Sequence, residues 1–293
     1  DYKIKDSLIL KFPNCIRKLV FRYLLCQITH IFYVKIYYER LFPQTLHPLL
    51  FDAYLARGWY RMYQHLFTVT HWLNAENLEI DRVWWLRYHR DAIKLHDSHK
   101  KIIKKNKKFS VVFREFKGIT EEDNDLFTLY SASTDFDGYS NLARCLYGTD
   151  EAQEGSLFDT RMISVYDKDK LVARGLFDVG TKAVMGKINY FDPAYKSFSP
   201  SKFMILKIIE YMHQKDWEWF YPGYIIVDRP KFDYKLFLGK ESAQYYNPDT
   251  ETWILFSDSI MQPETRTEDE QKLLIKLHIL DLMGMDDWVV DDL

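Results

Sequence analysis

Trp217 to Gly239, WEWFYPGYIIVDRPKFDYKLFLG, is the stretch on which the reading of the fold turns. Its first half holds Phe220, Tyr221, Tyr224, Ile225, Ile226 and Val227, an aromatic and β-branched run that predicts a strand. The strand runs into Asp228-Arg229-Pro230. Lys231, Tyr234 and Lys235 follow at spacings of three and four, which place them on one face of a helical turn. Open α/β sheets hold ligands at strand ends that hand polar and cationic groups to a loop. A buried strand before a solvated turn gives the same pattern.

Working upstream, residues 202–214 carry Phe203, Ile205, Leu206, Ile208, Ile209 and Met212 at helical spacing, with Ser199 or Ser201 as the cap. Residues 183–191 predict a long strand that stops at Asp192-Pro193. Residues 162–166 and 171–179 flank a Lys168-Asp169-Lys170 turn as a hairpin. Earlier still, a helix over 45–57 is capped by Thr45 and carries Leu46, Leu49, Leu50 and Tyr54 as its apolar stripe. Strand-like runs follow at 59–73 and 82–90, then a basic helix at 98–106 and a strand at 109–116. Thr120 opens a helix that buries Leu126, Leu129 and Tyr130, and a further helix ends at Gly148. Downstream lie short strands near 244–246 and 252–256 and a last helix near 268–283.

Hairpin, long strand, helix, strand, helix is the order of the N-acetyltransferase type. The expected fold is therefore α+β, with a GNAT-like C-terminal domain and a smaller α+β N-terminal portion. The divisions fall at 1–40, an N-terminal extension; 41–118, the smaller portion; 119–260, the GNAT-like domain with its bridging helices; and 261–293, a helix and acidic tail.

The 293 residues are 47% apolar and 17% aromatic with a formal net charge of −2, which describes a globular chain and excludes a uniformly basic nucleic-acid coat. Charge is local instead. Seven lysines lie between Lys94 and Lys108, and Lys101, Lys104, Lys105 and Lys108 share one face of the helix there. Such a face can follow a phosphate backbone; it is also the pattern of a merely solvated helix. Cys15, Cys26 and Cys145 are too far apart in sequence for a disulfide framework or a thiolate metal site and fit a reducing, cytoplasmic compartment. Arg22, Gln27 and His30 interrupt the apolar run of residues 19–34, so neither a membrane span nor a signal-peptide core is expected. The histidines lack metal-ligand spacing, and no metal or cofactor is expected.

Several elements in one order resemble the aminoacyl-tRNA-protein transferases, the arginyltransferases and their bacterial leucyltransferase relatives. Tyr190-Phe191-Asp192-Pro193 is similar to that family's strand ending in Phe-Asp-Pro. Phe220-Tyr221-Pro222-Gly223-Tyr224-Ile225, with Lys231 and Tyr234-Lys235, is similar to its Tyr-Leu-Gly-Tyr-Trp-Ile stretch followed by Lys-Met and Tyr-Lys. Gly58-Trp59-Tyr60-Arg61 resembles the early Gly-Phe-Arg-Arg signature, and the lysine segment, Leu129-Tyr130 and Asp137-Gly138 have counterparts. The resemblance covers about residues 46–239. It departs in three places: residues 64–71, QHLFTVTH, replace a cysteine cluster; Phe136 stands where the family has His; and Ser199-Pro200-Ser201 replaces a glycine-containing turn.

The resemblance implies transfer of an aminoacyl group, arginyl or leucyl, from charged tRNA to the N-terminal amine of a protein. The donor ester is already activated, so positioning and electrostatics supply much of the acceleration without a covalent intermediate. Lys231 and Lys235 are expected to contact terminal phosphates or steady developing charge. Tyr224 and Tyr234 are expected to bond or stack on the terminal adenosine. Asp178 or Asp228 would relay the amine proton or bind the cationic aminoacyl side chain, Tyr190 and Asp137 would contact substrate, and Lys101, Lys104 and Lys105 the tRNA backbone. The alternatives are an acyl-CoA-dependent N-acyltransferase and a non-catalytic tRNA- or degron-binding module.

Overall fold

The structure is a computed structural model that describes residues 38–74, 79–134, 139–153, 155–227 and 229–262, with a few positions between 267 and 275. Asp137, Asp228, nearly all of the expected N-terminal extension and most of the expected last helix lie outside the described residues. In chain order the elements are β1 Tyr38–Leu41, α1 Pro48–Leu55, β2 Tyr60–Met62, β3 His65–Val69, β4 His71–Asn74, β5 Glu79–His89, α2 Asp97–Lys105 and β6 Ser110–Glu115. They continue with α3 Glu121–Ala132, α4 Leu142–Tyr147, β7 Thr160–Asp167, β8 Lys170–Val179, β9 Ala183–Phe191, α5 Pro200–Lys215, β10 Trp219–Ile226, β11 Ala243–Asn247 and β12 Thr252–Leu255. The fold is α+β. Among the described residues no helix is long and apolar enough to cross a membrane.

Local chemistry explains most boundaries. At α3, Thr120 accepts from the Asp123 amide at 3.2 Å while Asp123 accepts from the Thr120 amide at 2.9 Å, a reciprocal cap. Leu126 and Phe127 are buried there, but Leu129 is exposed. α1 starts later than Thr45, because His47 caps it by accepting from the Leu49 amide and Pro48 suits a first turn. The buried face is Phe51 and Leu55, while Leu49 and Leu50 lie in solvent. α5 begins at Pro200, and Ser199 before it is left-handed at φ 53° with no capping bond from its side chain.

The large sheet runs β12-β11-β5-β10-β9-β8-β7-β6, with β4 also paired to β5. It thus takes β5 and β6 from the N-terminal portion and the remaining strands of that run from residues 160–255. Among the described residues only β9 and β10 pair in parallel, joined through α5, while the other pairings are antiparallel. α5 covers one face, setting Phe203, Ile205, Ile208 and Met212 against Phe177, Val184 and Ile225. Two units share the other face. α3 and α4 pack over Leu176 and Tyr190, and α1 with the small sheet β1-β3-β2 packs over Trp85, Met185 and Tyr221.

Arg61 of β2 ties the seam between those units. Its Nη1 lies 2.7 Å from Asp178 Oδ1 of β8 and 3.0 Å from Thr160 Oγ1 of β7, and Nη2 donates to the Leu146 carbonyl of α4 at 3.1 Å. The two charged side chains are 1% and 0% exposed, so each would be stranded without the other. Arg61→Met is expected to lower stability by about 3–5 kcal/mol in urea unfolding. The double variant Arg61→Met with Asp178→Leu, which leaves no buried charge, is expected to recover most of that loss.

Candidate active site

β9 and β10 pair at only three positions, Trp219 with Ala183, Phe220 with Val184 and Tyr221 with Met185. Both strands are then irregular. In β10, Tyr221 and Pro222 together face Arg87, since pairing with β5 passes from Phe220–Tyr88 to Gly223–Leu86. In β9, Lys187 is the extra residue, because Leu176 pairs with Ile188 and Phe177 with Gly186. A bulge bends and twists its strand and re-aims a side chain. Pro222 has no amide proton to offer a neighbouring strand. The two strands therefore part beyond Tyr221, and the groups below collect at the parting.

The first is Lys235, on the 3-10 turn Pro230–Leu236 that follows β10. Its ammonium donates to the Tyr224 carbonyl at 2.6 Å and sits 4.6, 4.7 and 5.5 Å from the rings of Phe232, Tyr224 and Tyr234. This aromatic box replaces water with ring faces, which favour a cation less than full hydration does. Burial accordingly pulls Lys235 down to about 7. Gly223 makes room for it: φ is +106°, and a Cβ there would meet Lys235 Cε at 3.4 Å. Tyr234 exposes 49% of its surface, yet desolvation pushes its hydroxyl up to about 12, as fits a side chain lining a concave surface.

The second group is Lys187 with Tyr139 and Tyr63. The Lys187 ammonium lies 5.9 Å from the Tyr139 ring, which meets Tyr63 edge-on at 6.1 Å. Among the described residues Lys187 has no hydrogen bond and no ion pair. Burial lowers its proton affinity, and burial likewise raises that of Tyr139, which also feels Tyr224. Nothing in the sequence singles out Lys187, because a lysine in a strand reads as an outward-facing residue unless the register is known.

The lysine helix α2 is fastened to the same end of the sheet. His99 Nε2 donates to the Phe237 carbonyl at 2.6 Å, just after the Lys235 turn, while Nδ1 accepts from the His96 amide at 3.2 Å; His99 is thus a neutral anchor. Asn106 donates to the Phe198 carbonyl at 2.9 Å, just before α5. Lys105 is occupied by the Ser197 carbonyl, whereas Lys101 and Lys104 are exposed and, among the described residues, have no partner.

Tyr224, Tyr234 and Lys235 are thus brought together. Asp178 and Tyr190, expected as relay and substrate contact, are instead fully buried and committed to internal partners. Asp178 holds Arg61, and the Tyr190 hydroxyl donates to Asp123 at 2.9 Å beside Arg174. Lys231 lies in the turn, where only its backbone is described. A separate depression of about 460 Å³ near the start of α3, lined by Arg114, Lys117, Thr120 and Arg174, includes none of the aromatic cluster.

Lys235 has a consequence for stability. Between about 7 and its ordinary value of 10.5 the unfolded chain holds a proton that the folded chain has released, so stability rises with pH across that window. Urea unfolding from pH 7 to 10 is expected to show this rise, and Lys235→Met to reduce it, leaving the part of the same sign that Lys187 contributes.

No curated protein matches the chain. Two solved structures are similar at low identity. The C-terminal domain of a putative lysylphosphatidylglycerol synthetase from Agrobacterium fabrum is 11% identical over 68% of this chain and 66% of that one, with a TM-score of 0.40. The L-PGS from Bacillus licheniformis is 9% identical over 70% of this chain and 57% of that one, with a TM-score of 0.38. The chain therefore spans 66% or less of either structure's length. The match described as arginine-tRNA-protein transferase, C terminus, covers residues 91–243, from the approach to α2 through the Lys235 turn to the start of β11. Spanning more than half of the sequence, it places the chain in the arginine-tRNA-protein transferase family.

Proposed function

We propose that this chain moves an aminoacyl group from charged tRNA to the N-terminal amine of a protein in a reducing cytoplasm, with a GNAT-like C-terminal domain as the catalytic body. The observation that carries the reading is the parting of β9 and β10 beside an aromatic cluster, with an anchored lysine helix at the same end of the sheet. Charged tRNA ends in an unpaired adenosine whose base can stack on tyrosine, and its backbone is a run of phosphates for lysines to follow.

In this reading Tyr224 and Tyr234 receive the terminal adenosine, and Lys235 orders both rings while Lys231 approaches the adjoining phosphates. Lys101 and Lys104 contact the tRNA backbone. An amine attacking the ester carbonyl needs alignment and a place for negative charge, both of which a water-poor cleft supplies without a nucleophilic side chain. Family membership favours arginyl over leucyl as the transferred group. Against an acyl-CoA donor, the chain enters α5 through Ser199-Pro200-Ser201, which has no glycine to let phosphate approach the backbone.

Incubating the protein with arginyl-tRNA, leucyl-tRNA or acetyl-CoA and peptides of varied N-terminus tests the assignment. Label transfer from arginyl-tRNA is the expected outcome. Transfer from acetyl-CoA, or tRNA binding without transfer, would sink it. Lys101→Glu with Lys104→Glu is expected to weaken tRNA binding and to reduce the slope of log affinity against log salt by about 0.7–0.9 per lysine.

A further inference from the structure

We infer that Lys187 is a catalytic residue, holding the carbonyl oxygen of the donor ester and carrying the negative charge that forms on it when the acceptor amine adds. This rests on the transfer reading above and assigns within it a residue that neither the motifs nor the family match single out.

Four observations converge on that role. Lys187 is the one extra residue of the β9 bulge, located where the pairing of β9 with β10 ends. Its ammonium is half-buried against Tyr139 and, among the described residues, has no hydrogen bond or ion pair, so it keeps a donor free for a ligand. Lys235 has already committed its ammonium to the Tyr224 carbonyl, which suits it to ordering the aromatic box and not to the reacting oxygen. Arg61 and Asp178 beside Lys187 neutralise each other, and among the described residues no acidic side chain is ion-paired with Lys187.

The electrostatics favour the transition state. A cation that has lost water by burial gains most when a full negative charge forms next to it, and gains less from the weaker dipole of the ground-state ester. In the step itself the amine nitrogen bonds to the carbonyl carbon and the carbonyl π pair moves onto oxygen, beside Lys187. The pair then returns, the bond from carbon to the terminal ribose oxygen breaks, and the proton lost by the amine ends on that oxygen. No oxidant or further reactant is needed.

The neighbours that can titrate or bear charge are Arg61 of β2, Tyr63 in the following turn, His65 of β3, Tyr139, Cys145 of α4 and Asp178 of β8. His65 is pulled down to about 4 by burial and the cations Arg40 and Lys187, so it stays neutral in the assay range. Burial raises Cys145 and Tyr139, keeping both protonated there.

The test is steady-state transfer from charged tRNA by the native chain and by Lys187→Met, Lys187→Gln and Lys187→Arg, each checked for native circular dichroism and thermal midpoint. Lys187→Met and Lys187→Gln are expected to lower kcat about 100-fold or more with KM changed less than about 3-fold. Lys187→Arg is expected to regain part of kcat and to abolish the fall in kcat expected of the native chain as Lys187 loses its proton with rising pH, since arginine keeps its charge. Native transfer rates in folded Lys187→Met, or an alkaline limb unmoved by Lys187→Arg, would overturn the assignment while leaving the transfer reading intact. No transfer by the native chain would overturn both.

Discussion

Two strand irregularities, at Lys187 in β9 and at Tyr221-Pro222 in β10, set the geometry of the candidate site. A parallel pair in the middle of a sheet ordinarily continues for the length of its shorter strand, because every unmade backbone bond in a water-poor interior costs free energy. Here the pair ends after three positions, and the strands' other edges hold them in place: β9 stays bonded to β8 and β10 to β5. The opening is therefore rigid on both sides. Its shape is a property of the sheet, not of a loop.

Beneath the opening, Arg61 joins β2, β7, β8 and α4 through one guanidinium. Arginine suits this position because its donors are fixed in a planar fork and its charge persists when buried. The pairing with Asp178 is balanced, so it adds no net charge to the floor of the cleft. Among the described residues the two lysines of the candidate site differ: Lys235 is fastened to a carbonyl, and Lys187 has no hydrogen bond or ion pair.

The aromatic residues around Lys235 work through desolvation as much as through attraction. Ring faces at 4.6 to 5.5 Å offset part of the lost hydration, and the carbonyl of Tyr224 offsets more. The residual cost appears as a weakened hold on the proton. α2 extends the same end of the sheet outward, its backbone anchored by His99 and Asn106 and its Lys101 and Lys104 exposed. Anchoring matters because an ordered cation loses less entropy on meeting a phosphate than a mobile one does.

The α+β class, the hairpin at β7–β8, the strands β9 and β10 and the helix between them are legible in the chain because each depends on short-range periodicity and on turn residues at its ends. Tyr224, Tyr234 and Lys235 are legible as a group for the same reason: they lie close in sequence around one strand end. α1 starts later than Thr45 because the His47-Pro48 start outweighs it, and packing against the sheet decides that Phe51 and Leu55 are the residues buried. Asp178, Tyr190 and Lys187 show the limit. All three sit in strands where sequence offers alternation but not register, and a single extra residue in β9 decides which side chains meet Arg61, which meet Asp123, and which face the cleft. Pairing across tens of residues is a tertiary outcome, and only it brings a lysine in a strand to the place where β9 and β10 part.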